Sequence, residues 1–161
     1  VMSYMEIAQQ DGAVTKVGGK HLADLGPGNY VSPTLFTQAN NTMRIAREEI
    51  FGPVLTTIGF DTETEAIALA NDSDYGLSGY IWTENTGRAM RLAKHVASGM
   101  LWVNSENNRN LPSPFGGIKS SGIGRDGGDW SFDFYMETKN VCIAHGNHTI
   151  PVLGANSGTN K

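Results

Sequence analysis

Between residues 54 and 103 the chain switches repeatedly between two hydrophobic periods, and few folds accommodate that alternation. Residues 54–60 (Val54-Leu55-Thr56-Thr57-Ile58-Gly59-Phe60) are β-branched and apolar, as a buried strand requires. Thr62 and Glu65 then form a capping box, in which each side chain satisfies a free amide at a helix start. The helix it opens runs through Ala66, Ile67, Leu69 and Ala70. Tyr75-Gly76-Leu77 turns the chain into a strand over 79–83. Asn85 or Thr86 caps a second helix, with Met90, Ala93 and Ala97 as its apolar stripe and Gly99 as its stop. Residues 100–103 are the next strand. Strand, helix, strand, helix, strand with short connectors is the βαβ pattern of an α/β domain, a mostly parallel sheet with flanking helices. Such sheets place ligands beyond the carboxyl ends of their strands.

The flanks are simpler. A first helix is expected over 2–10, ending near Asp11-Gly12, followed by short strands over 13–17 and 30–37. Residues 104–128 are polar, then rich in Pro and Gly, and lack periodicity; a connection that long in a small domain carries function or is disordered. Residues 138–144 read as a terminal strand and 151–161 as a frayed tail. The expected organisation is an α/β domain over 1–136, a strand segment over 137–147 and a tail over 148–161. The amphipathic pattern already running at Val1 leads to the expectation that the sequence is a piece of something longer.

Charge and cysteine content narrow the function. With 12 basic against 16 acidic residues the net charge is −4, which disfavours a nucleic-acid binder needing a basic face. No apolar run reaches the ~18 residues of a membrane span. One cysteine excludes an internal disulfide and fits a reducing compartment, so the cytoplasm is the expected location. The sequons at Asn40, Asn71 and Asn147 are accordingly read as chance.

Chemistry-bearing residues divide unevenly. Glu48-Glu49-Ile50-Phe51-Gly52-Pro53 sets two acids beside an aromatic and a rigid turn. A carboxylate there can accept both hydroxyls of a ribose, and a ring can pack on a nicotinamide; the plainer reading is a solvated helix end and a turn. Residues 122–127 match G-x-G-x-x-G, but Lys119-Ser120-Ser121 precede them instead of a strand, so they are not read as a dinucleotide fingerprint. Cys142 sits between Val141 and Ile143 and is read as a small hydrophobe of a strand. His21, His95, His145 and His148 lack metal-ligand company. Arg109, in the long loop, is either solvated or a bidentate clamp for a substrate carboxylate.

Four segments together resemble the NAD(P)-dependent aldehyde dehydrogenases. They are Glu48 through Val54, Tyr75-Gly76-Leu77, Trp102-Val103-Asn104, and Pro114-Phe115-Gly116-Gly117-Ile118-Lys119 continuing through Ser121-Gly122 to Gly124-Arg125. The resemblance runs in order over nearly the whole chain, with Asp126 where the family usually has Glu. It implies that the fold is the C-terminal part of the family's catalytic domain. It also implies that Glu49 holds the ribose next to the nicotinamide, that Phe51 flanks the nicotinamide, and that the cofactor is NAD, with NADP left open. Residues 137–147 resemble the family's oligomerisation strand, implying a homo-oligomer, with Glu137 expected to pair with Arg125 near that interface. Residues 104–111 and 139–143, with His148-Thr149-Ile150-Pro151, most resemble the 5-carboxymethyl-2-hydroxymuconate semialdehyde dehydrogenases. Their substrates are anionic aldehydes, which supplies a reason for Arg109; relatives often carry a second arginine where this chain has Pro112.

The family's reaction requires a nucleophilic cysteine, an oxyanion donor and a general base. By the resemblance these belong upstream of Val1, in a Gly-Gln-x-Cys motif and a dinucleotide-binding domain, and Cys142 does not align with that motif. The resemblance therefore implies no catalytic residue in this chain, and the chain alone is expected to be inactive. A non-catalytic binding or assembly module, and a dehydrogenase for another semialdehyde, are the alternative readings.

Overall fold

In a computed structural model that describes residues 1–150 and Gly154, five helices and five strands form two small sheets. Helix α1 (Met2–Gln10) leads through Gly12, at φ +90°, into β1 (Val14–Val17). A 3-10 turn, Ala23–Leu25, precedes β2 (Thr34–Thr37); α2 (Arg44–Arg47) and β3 (Val54–Thr56) follow. Helix α3 (Glu63–Asn71), β4 (Ser78–Ile81), α4 (Thr86–His95) and β5 (Met100–Val103) continue the alternation. A second 3-10 turn, Lys119–Ser121, and α5 (Asp129–Tyr135) lie in the C-terminal stretch.

Strands β1 and β2 pair antiparallel, with a register shift between Thr15 and Val17, while β2 and β3 pair parallel. Strands β4 and β5 form a separate parallel pair. Two of the three pairings are thus parallel and helices flank both sheets, as the alternation predicts. A single continuous sheet does not form among the described residues: β3 and β4 each keep an edge without a neighbour there.

The buried centre lies under α1. Met5 and Ala8 of that helix meet Ala13, Phe36, Met43 and Ile45, with Phe36 fully buried. Thr34 is buried but satisfied, accepting from the Gly19 amide at 2.8 Å and donating to the Ser32 carbonyl at 2.9 Å. The second sheet is thinner, with Ile81, Ala89 and Trp102 as its buried residues.

Both caps form. Thr62 Oγ1 accepts from the Glu65 amide at 3.1 Å, and the Glu65 carboxylate in turn accepts from the Asp61 amide at 2.8 Å. Of the two candidate caps for α4 it is Asn85 whose side chain accepts, from the Arg88 amide at 2.9 Å. The stripe on α4 differs from the expected one. Ala89, Leu92 and Val96 face the sheet, whereas Met90 and Ala93 are exposed. Those inward residues recur at steps of three and four, so the helix is rotated by one position from the expected phase.

Other boundaries shift for local reasons. The strand expected over 30–37 begins at Thr34, because Pro33 has no amide to give a ladder; Val31 makes only an isolated bridge to His21. The strand expected over 54–60 stops at Thr56, one residue before the Thr57 amide reaches the Phe36 carbonyl at 2.9 Å near the end of β2. The strand expected over 79–83 stops at Ile81, since the Asn104 side chain takes over at Thr83. Residues 137–150 form neither helix nor strand, and Cys142 is exposed instead of alternating into a sheet. Among the described residues no strand lies beside that segment to supply the ladder bonds. Of the expected tail, Pro151 to Leu153 and Ala155 to Lys161 lie outside the described residues.

Candidate functional site

The two adjacent acids separate completely in role. Glu48 ends α2 and is held on two sides. Arg44 donates to it through Nε at 2.7 Å and Nη2 at 3.0 Å, and the Tyr4 hydroxyl donates at 2.7 Å. The arginine and tyrosine hydrogen bonds hold the Glu48 carboxyl down at about 2, against an ordinary 4.5. The same bond raises the Tyr4 hydroxyl above its ordinary value. Glu48 therefore joins α1 to α2.

Glu49, one residue on, is exposed and makes no side-chain hydrogen bond or ion pair among the described residues. Phe51 follows at φ +55°, a left-handed backbone that is uncommon for a bulky residue, and its ring is 86% exposed. Backbone held in that region is found where the surroundings force it, typically at ligand sites. Here the surroundings are visible. The Gly52–Pro53 turn enters β3 with the Pro53 carbonyl accepting from the Thr34 amide at 2.9 Å, and a Cβ on Gly52 would press into Val1. The free carboxylate and the raised ring border a cleft of about 380 Å³ that extends along Ile50, Val54 and Thr56. A larger cleft of about 690 Å³ opens on the other side of Glu48 and Glu49, toward Tyr75–Gly79 and Ser98.

The long loop is anchored at several points. Asn104, at φ +50°, closes the end of β5 against β4, its side chain accepting from the Thr83 amide and donating to the Thr83 carbonyl, each at 2.8 Å. Pro114 to Lys119 crosses beneath the second sheet so closely that a Cβ on Gly99 would collide with the Gly116 carbonyl. Lys119 Nζ then donates to the carbonyls of Asn71 and Ser73 at the end of α3. The Asn71 side chain is used on both sides, donating to the His95 carbonyl at 2.8 Å and accepting from the Ala97 amide at 2.7 Å.

Arg109 lies on the exposed part of this loop with its guanidinium carbon 4.3 Å from the centroid of the Phe115 ring. It belongs to no ion pair among the described residues. Arg125 is not paired with Glu137. Its Nη1 instead donates to the carbonyls of Gly117 at 2.6 Å and Gly124 at 2.8 Å, tying the loop to itself. The Gly122–Gly127 segment follows the second 3-10 turn and carries φ +114° and +115° at its end glycines, a loop geometry and not a strand-to-helix turn. Among the described residues no group of three or more His, Cys, Asp or Glu is placed to hold a metal, and no helix is long and apolar enough to cross a membrane.

A carboxylate without a partner among the described residues and an exposed ring thus stand together on the loop that enters β3. The model of the aldehyde dehydrogenase family matches residues 1–141. The chain belongs to the aldehyde dehydrogenase family. It is 46% identical over 146 residues to a 2-hydroxymuconic semialdehyde dehydrogenase of Pseudomonas sp. strain CF600, covering 89% of this chain and 30% of that protein. Among solved structures it matches HpcC from Thermus thermophilus with a TM-score of 0.86 and 43% identity, covering 96% of this chain and 31% of that one. It also matches an indole-3-acetaldehyde dehydrogenase in complex with NAD+ with a TM-score of 0.82 and 46% identity, over 86% of this chain and 28% of that one. The chain thus spans about 30% of the length of the curated relatives it matches.

Glu49, Phe51 and Arg109 are the site residues expected from the sequence. The structure sets Glu49 and Phe51 on one cleft and Arg109 on the loop that follows β5. Tyr4 and Arg44, which are not among the residues expected at the site, together remove Glu48 from the available acids. The i,i+4 spacing of Arg44 and Glu48 was a usable signal. Tyr4, 44 residues away, left none.

Proposed function

We propose that this chain is the C-terminal part of an NAD-dependent aldehyde dehydrogenase that oxidises an anionic, muconate-type semialdehyde to its carboxylic acid. The observation that carries the cofactor reading is the contrast between Glu48 and Glu49. One carboxylate is fully engaged by Arg44 and Tyr4, and its neighbour is free beside an exposed ring held at positive φ. The residues present fit the cofactor. Glu49 offers two acceptor oxygens for the hydroxyls of a ribose, and Phe51 offers an aromatic face and edge to a nicotinamide. When bound, the nicotinamide supplies the hydride acceptor. Glu49 fixes the sugar, and Phe51 limits where the ring can sit and keeps water from one side of it. The nucleophile, general base and oxyanion donor are assigned to the remainder of the protein, and NAD over NADP is the choice made at the far ribose.

The substrate reading rests on Arg109. A relative named for a muconic semialdehyde and one named for indole-3-acetaldehyde share the same identity with this chain, so identity alone does not choose between acid-bearing and neutral aldehydes. Arg109 does favour one. Its guanidinium carbon sits over the Phe115 ring and it has no acidic partner among the described residues, which leaves its N–H donors for a carboxylate. In the full-length dehydrogenase, Arg109→Ala is expected to raise KM for an acid-bearing semialdehyde about tenfold or more, the scale of one charged hydrogen-bonded pair, and to leave a neutral aldehyde unaffected. Equal loss on both aldehydes would remove the clamp. We place the homo-oligomer contact at residues 137–147, an assignment supported by their having no strand partner among the described residues of their own chain.

A further inference from the structure

We infer that Phe115 and Trp102 are positioning residues for Arg109, holding its guanidinium ready for the far-end carboxylate of the substrate. The inference rests on the carboxylate reading of Arg109 given above and adds how the clamp is built. Arg109 is the one basic residue between Asn104 and Ile118, with Pro112 at the position where a second arginine is common, so no other cation of that stretch shares the task. Placement must therefore come from its supports.

Two supports are present, and they act on different parts of the residue. The Phe115 ring lies under the guanidinium carbon at 4.3 Å from its centroid. An aromatic face attracts a cation but accepts none of its directed hydrogen bonds, so the N–H donors stay available. The ring itself is set in place by a short bridge: the Phe115 amide donates to the Asp126 carbonyl at 2.6 Å, and the Asp126 amide returns a bond to the Phe115 carbonyl at 2.7 Å.

Trp102 acts on the backbone. Its indole Nε1 donates to the Asn108 carbonyl at 2.9 Å, immediately before Arg109. The indole is buried to 7% exposure and stacked on Tyr80 at 5.2 Å between centroids and 12° between planes, so the donor is rigidly based in the second sheet. Asn107, at φ +47°, makes the bend that brings the Asn108 carbonyl back to it. A turn in which the Ser113 amide donates to the Asn110 carbonyl at 2.8 Å closes the loop beyond Arg109. A long, flexible cation is thereby restricted before the substrate arrives, which reduces the entropy lost on binding.

The test is a comparison of aldehydes of equal chain length, one ending in a carboxylate and one in a methyl group, with the full-length enzyme. Phe115→Leu is expected to raise KM for the carboxylate-bearing aldehyde about three- to tenfold, the range of a cation–π contact, with kcat and the neutral aldehyde unchanged. Phe115→Tyr, which keeps the aromatic face, should restore the parent KM. Trp102→Phe, which keeps an aromatic ring at that position and removes the indole donor, should raise KM on the same substrate alone. In an Arg109→Ala background neither change should have further effect on it. Equal effects of Phe115→Leu on both aldehydes, or effects that persist without Arg109, would overturn the inference. If Phe115→Leu does not fold, Trp102→Phe decides by the same KM split. Arg109→Ala separates the two levels. If it weakens both aldehydes equally, the carboxylate reading fails and the inference with it. If it discriminates and the Phe115 and Trp102 variants do not, only the positioning role is lost.

Discussion

Glu48 and Glu49 are chemically identical neighbours, and their environments decide which one is available. Arg44 and Tyr4 saturate the first; the second faces solvent beside Phe51. The sequence shows both acids and the ring but cannot say which acid is free, because Tyr4 reaches Glu48 across 44 residues of chain. Nor does it show the left-handed backbone of Phe51, which results from the turn at Gly52–Pro53 being fastened to β2. That backbone makes a prediction at this scale. Phe51→Gly and Phe51→Ala both delete the exposed ring, but only glycine accepts φ +55° without cost. Unfolding by urea should find the glycine variant about 1 kcal/mol more stable than the alanine variant. Equal stability would mean that the backbone at Phe51 relaxes.

At the scale of elements, α1 and α2 meet through the Tyr4–Glu48–Arg44 cluster, and the cluster is sensitive to acid. The Glu48 carboxyl is lower in the folded state than in the unfolded chain, so its contribution is complete above about 4.5 and is lost as pH falls toward about 2. The stability difference between the parent protein and Glu48→Gln should therefore be constant from neutral pH to about 4.5 and shrink below it. A difference that stays level through the acid range would contradict the cluster. Ion pairs on α3 and α4 follow the same logic, Arg91 lowering Glu63. Elements set by local signals were legible in the sequence: α1 and β5 occupy the expected residues, and both helix caps form as the Thr62, Glu65 and Asn85 side chains indicate. Elements set by neighbours were not. The α4 stripe turns by one residue, and β3 and β4 fall into separate sheets, because what packs against a face or an edge is a tertiary matter. Helices α2 and α5 are short and lack an amphipathic signature; of the two, only the end of α2 at Glu48 agrees with an expectation, the solvated helix end that precedes the Gly52–Pro53 turn.

At the scale of the whole molecule, the proposed cofactor wall and the proposed anion-binding loop share a scaffold whose β3 and β4 edges are unpaired among the described residues. Large apolar side chains stand exposed across it, among them Leu55, Phe60, Trp82, Phe132 and Ile143, each at 60% or more. Apolar surface of that extent on a small protein drives association. Sedimentation of the 161-residue chain alone is expected to show concentration-dependent self-association, and a single monomeric species across concentrations would contradict this. The family was legible because its loop motifs are dense in residues with individual physical duties, such as Gly99 against Gly116 and Asn104 against Thr83. Glu49 is proposed to bind the nicotinamide ribose. The direct measurement is KM for NAD+ in the full-length enzyme carrying Glu49→Gln. A rise of about tenfold or more is expected, the scale of a charged hydrogen bond, with KM for the aldehyde unchanged. An unchanged KM for NAD+ would contradict it.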